Sequence, residues 1–171
     1  MNPSGRKLLK QLVWLTIYII FALSYVAGVV IFALQHHNYW ACGGFAVVPF
    51  LIALRAALML IPQYRLYQMF PPMSSSRKIY QSIFFGGCLI GIALGLWLMA
   101  RGIQEHQSWT GSSYFCSMTG MWMAAKWSFY VTLPIYHLRE DTLEEEALIK
   151  LGLLGAGAEN ITSEPVMYQG N

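Results

Sequence analysis

Residues 12–34 read LVWLTIYIIFALSYVAGVVIFAL, and this unbroken apolar run decides the fold class. Crossing about 30 Å of hydrocarbon at 1.5 Å per residue takes about 20 apolar residues in a helix. A run of that length without a charged side chain reads as a membrane-spanning segment. In lipid each backbone N–H and C=O must be paired inside its own segment, which a helix achieves and a lone strand does not. Arg6, Lys7 and Lys10 precede the run as they would in a secretory signal, but it exceeds the ~7–15 apolar residues of a signal's central region. It is expected to remain as an uncleaved signal-anchor.

Working outward, three further runs have spanning length, at residues 41–61, 82–100 and 113–136. The expected fold is an all-α membrane protein: a four-transmembrane-helix bundle over residues 12–136, an N-terminal segment 1–11 and a tail 137–171. Composition agrees, since 56% of the 171 residues are hydrophobic and 11% are charged, with a mean hydropathy of +0.46. The excess of 11 Lys and Arg over 8 acids is small and scattered, which argues against a nucleic-acid surface. Pro49 and Pro134 fall inside the second and fourth runs, where kinks are expected.

Orientation follows the distribution of basic residues, which favours the cytosolic side of short loops. Arg6, Lys7, Lys10, Arg65, Arg77, Lys78, Arg139 and Lys150 fall on one side of the four-span plan and Arg101 on the other. Both termini are therefore expected in the cytosol, in the endomembrane system or the plasma membrane. Asn160, Ile161 and Thr162 form a glycosylation sequon that this topology would leave unmodified. The loop 62–81, with Pro71, Pro72 and Ser74 to Ser76, reads as an irregular connector. In the tail, Thr142 and Glu145 form a capping box. A short amphipathic helix over about 142–154 is expected there, lying on its own bundle or docking a partner.

Gly87, Gly91 and Gly95 recur every four residues and form one stripe along the third run. Small residues let membrane helices approach closely, either within one chain or between chains. Gly120 and Ala124 repeat the pattern more weakly in the fourth run, and the two stripes are expected to meet. Arg55 and Lys126 are the only charged residues inside the four runs. Arg55 lies close enough to the cytosolic boundary for its side chain to reach water. Lys126 is about 15 Å from the nearer end of its run at helical rise, and none of the eight acids falls in a span. It therefore requires a wet cavity or carbonyl cage, a neutral amine, or a counter-charge from a partner or anionic ligand.

Cys42 and Cys116 both begin spans on the outer side, where an oxidising compartment would permit a disulfide. His36, His37 and His106 map to the same side without the spacing of a metal motif. No nucleophile–base pair, phosphate loop or zinc-protease motif is present. The expected role is a non-enzymatic accessory, assembly or trafficking subunit of a membrane complex. Its expected partners are membrane lipids and another membrane protein that supplies a carboxylate. Neither a cofactor nor nucleic acid is expected. A carrier or channel component for an anionic solute or lipid is the alternative, and a membrane enzyme using the histidines ranks third.

Overall fold

The computed structural model describes residues 3–138. The expected tail helix at about 142–154 and the Asn160 sequon lie outside the described residues. Within them the chain forms five helices: α1 (Pro3–Leu34), α2 (Tyr39–Leu60), α3 (Gln63–Met69), α4 (Ser75–Gln104) and α5 (Tyr114–Tyr136). Three helices are long and apolar enough to cross a membrane, over Leu8–Leu34, Tyr39–Leu60 and Ser75–Gln104. The fourth expected span, now α5, is not among them. Its hydroxyls, indoles and Lys126 lower its hydropathy, and its surroundings explain why it can carry them.

α5 is the centre of the fold, packed between α4 and α2, while α1 rests chiefly on α2. Its buried residues include Ser117, Ser128 and Thr132 beside Met118, Ala125, Trp127, Val131 and Ile135. Where a hydroxyl can bond a carbonyl of its own helix, burial among other helices costs little. Thr119 donates to the Phe115 carbonyl at 3.0 Å and Thr132 to the Phe129 carbonyl at 2.7 Å. α1 is the converse case: none of its described side chains is buried, and the face turned away from α2 is left for lipid. Its 32 residues make a rod about 48 Å long, longer than the hydrocarbon core.

The connector 62–81 departs from expectation. Gln63–Met69 is a helix of about two turns that buries Leu66. The serines do not belong to an irregular loop either. Ser74 accepts from the Arg77 N–H at 3.3 Å, so α4 starts at Ser75, well before residue 82. Both proline-containing helices run on through Pro49 and Pro134.

Candidate functional site

The glycines of α4 are used inside the chain. A Cβ on Gly91 would stand 2.9 Å from the Ala125 Cβ and 3.1 Å from the Met121 carbonyl oxygen, both on α5. A Cβ on Gly95 would run into the Trp122 indole, and one on Gly87 would make ordinary contact with Ser128 Oγ at 3.7 Å. Gly120, expected to face this stripe with Ala124, turns instead to α2. A Cβ on Gly120 would lie 3.1 Å from the Ala41 carbonyl oxygen and 3.6 Å from the Gly44 Cα. The reason is angular: Gly120 and Ala125 are five residues apart, about 140° around a helix, so α5 offers one small patch to each neighbour. Gly44 is the residue that sequence reading passed over. A Cβ there would meet the Gly120 backbone at 2.6 Å, the tightest backbone-to-backbone approach of these glycines. The paired small residues Ala41 and Gly44 on one face were the available signal.

At the opposite end of α4 from Ser75, a polar cluster joins the two loops. Asn38 is 7% exposed and caps α2, accepting from the Ala41 N–H at 3.0 Å. Its Oδ1 also accepts from the Ser117 hydroxyl at 2.8 Å. Its Nδ2 donates to the carbonyls of Gly111 and Ser113, each at 3.1 Å. A side-chain amide has two donor hydrogens and two acceptor lone pairs, and all four are engaged. Asn38 immediately before an apolar run is a helix-start signal that the sequence reading missed.

His36 lies tilted against Phe32 with ring centroids 5.7 Å apart and fills the space where a Gly111 side chain would stand. His37 and His106 have positive φ, 49° and 50°, and turn the chain after α1 and α4. Among the described residues no three His, Cys, Asp or Glu side chains are grouped to hold a metal. Cys42, Cys88 and Cys116 are free thiols in this structure, Cys88 buried and the other two half-buried.

Arg55 and Lys126, the two cations expected inside spans, have different surroundings. Arg55 is half-buried on α2. Tyr80 of α4 donates to the Val131 carbonyl of α5 at 3.1 Å. Lys126 is exposed on the outer face of α5, so neither a cavity nor a carbonyl cage encloses it. Its Nζ stands 5.7 Å from the centroid of the Tyr130 ring. An ion pair joins Arg101 and Glu105 at 3.2 Å, at the far end of α4. Trp127, next to Lys126, turns the other way. It is 6% exposed, meets Tyr18 and Phe21 of α1 edge-on and donates to the Tyr25 hydroxyl at 3.4 Å.

No protein-family model matches the chain, and no curated protein or solved structure does.

Proposed function

We infer that the chain is a four-span subunit of a larger membrane complex. It acts without chemistry of its own, by presenting the outer face of α5 to a partner helix that carries an Asp or Glu. The observation that carries this reading is Lys126, a cation about halfway along α5, turned outward, with the Tyr130 ring as its neighbour and no carboxylate beside it among the described residues. A lysine at that depth costs about 2.5–3.5 kcal/mol in lipid, and the face of a phenol returns about 0.5–2 kcal/mol of it. A partner carboxylate removes the remaining deficit. The fourth span belongs to the same reading: α5 is buried on most sides by α2, α4 and Trp127's neighbours on α1, which supports membrane depth for a helix of moderate hydropathy.

The carrier alternative requires Arg55 and Lys126 to face one path. Lys126 is exposed on α5 and Arg55 half-buried on α2, and it is this difference that favours the assembly role. Co-purification in mild detergent at matched expression tests it. Lys126→Glu places like charges together and is expected to lose the partner. Lys126→Met is expected to lose the partner while the isolated chain keeps its thermal stability, because an apolar residue on that face removes a desolvation cost. Retention of every stoichiometric partner by both variants excludes an external carboxylate. Solute flux from the reconstituted chain alone would favour the carrier.

A further inference from the structure

A groove of about 510 Å³ opens between the first turns of α4 and the last turns of α5, within the usual size of a ligand site, about 300–1,000 Å³. Phe85, Phe129 and Leu133 form its apolar part, and Gln81, Ser82 and His137 bring polar groups to the end nearer the helix termini. Lys78 is exposed and precedes Gln81 by three residues and Ser82 by four, so it stands on the same face of α4, one turn nearer the terminus. Arg77 donates from Nη2 to the Tyr136 carbonyl at 3.2 Å, which ties a second cation to the same mouth. The first turn of α4 contains no acid, and its unpaired amides add partial positive charge there.

We propose that this groove binds one anionic glycerophospholipid. Its phosphate sits at Lys78 and the first turn of α4, and one acyl chain runs inward between Phe85, Phe129 and Leu133. Charge complementarity selects the occupant. An apolar groove alone accepts any acyl chain, whereas a groove whose mouth carries the exposed Lys78 beside the acid-free first turn of α4 favours a headgroup with net negative charge, as basic pockets between membrane helices do. The polar end and the apolar end also fall in the right order. Going from Lys78 to Phe85 along α4, and from His137 to Phe129 along α5, the lining changes from polar to apolar, as a lipid does from head to tail. The proposal rests on the reading of α4 and α5 as neighbouring spans. It does not depend on the partner at Lys126, which is not among the groove residues.

The test uses the full chain, stripped of lipid in detergent, and follows thermal unfolding with added phosphatidylserine, phosphatidylcholine of the same acyl chains, or soluble glycerophosphoserine. Phosphatidylserine at about ten times its Kd is expected to raise the midpoint on the order of 3–6 °C, phosphatidylcholine clearly less, and the soluble headgroup not at all. Lys78→Glu is expected to abolish the preference for phosphatidylserine. Ser82→Trp, which fills the groove, is expected to abolish both shifts. Equal shifts from the two lipids in the wild type, an undiminished shift in Ser82→Trp, or an equal shift from the soluble headgroup would each overturn the proposal. If Ser82→Trp fails to fold, native mass spectra decide: retained phosphatidylserine should fall in Lys78→Glu, and equal retention rejects the site. Micelle binding reads the groove irrespective of topology, so a wrong orientation and an absent lipid site give separable results.

Discussion

Asn38 is the residue on which the two loops at one end of the bundle depend. Its four hydrogen bonds satisfy an α2 amide, two carbonyls around α5's start, and the Ser117 hydroxyl. Asn38→Asp keeps shape and the acceptor but turns the two donors into oxygen, facing the Gly111 and Ser113 carbonyls. Leaving such buried acceptors unpaired costs about 1–3 kcal/mol, so the variant should unfold at lower temperature than Ser117→Ala, which removes one donor and leaves Asn38 otherwise bonded. A reversed order in detergent melting curves would show that the amide is not the hub. His106 makes the opposite prediction. The Gln107 N–H bonds the Gly102 carbonyl at 3.0 Å and the His106 N–H the Ile103 carbonyl at 3.1 Å. That pair closes a helix end on a left-handed residue, a place glycine fills best. With φ of 50°, His106→Gly should be neutral or stabilising by up to about 1 kcal/mol. A clear loss of stability would mean that the imidazole is engaged in something beyond this turn.

At the scale of the helix, the glycines differ in what they touch, and substitutions should rank accordingly. Gly44→Ala sets a methyl against the Gly120 backbone, which can yield only by moving α2 away from α5. Gly91→Ala meets Ala125 and a Met121 carbonyl, Gly95→Ala meets a Trp122 side chain that can turn aside, and Gly87→Ala meets nothing tighter than van der Waals contact. Overpacking costs about 1–3 kcal/mol, so the expected loss of thermal stability runs Gly44, Gly91, Gly95, Gly87. Ala93→Leu, about 200° from Gly91 and exposed, should be tolerated where Gly91→Leu is not. Equal melting for that pair would remove the stripe as a packing surface. The same helices mark what the sequence could reveal. The runs at 12–34, 41–61 and 82–100 were legible because lipid demands length and apolarity whatever the neighbours are. α5 was the weak case because its neighbours are protein, and Ser117, Ser128 and Thr132 obey hydrogen-bond rules that no hydropathy window registers. The α4 stripe was visible as a repeat, but its partner was not: which side of α5 faces α4 depends on the arrangement of three helices. Lys126 was recognisable as costly from its position alone, while its outward direction required the fold.

For the whole molecule, the open alternative is between three crossings and four, and the location of the tail separates them. α1, α2 and α4 have the length and apolarity to cross, and each short connection between successive crossings reverses direction. Arg6, Arg65, Arg77 and Lys78 then fall at one end and Arg101 at the other. Basic residues near span ends favour the cytosol, so on either count the amino terminus, α3 and the start of α4 are expected there, and the loop after α4 is expected outside. If α5 crosses, everything after Tyr136 returns to the cytosol, and Asn160 never meets the glycosylation machinery. If α5 instead stays on the outer side, the tail is lumenal and the Asn160 sequon becomes available. The helix contacts favour crossing, because α5 follows α4 from Phe115 at Gly102, through Ala125 at Gly91, to the Val131 carbonyl at Tyr80, and meets α2 at Gly44. A helix lying across the membrane surface could not follow both partners over that length. The expected result for protein expressed through the secretory route is therefore no change in gel mobility on endoglycosidase treatment, identical for wild type and Asn160→Gln. As a positive control, a sequon placed in the loop after α4, at Gln107→Asn with Trp109→Thr, tests accessibility on the outer side. A glycan on wild-type Asn160 that Asn160→Gln removes would reduce the crossings to three, place Arg139 and Lys150 outside, and withdraw the membrane depth on which the pairing role of Lys126 rests.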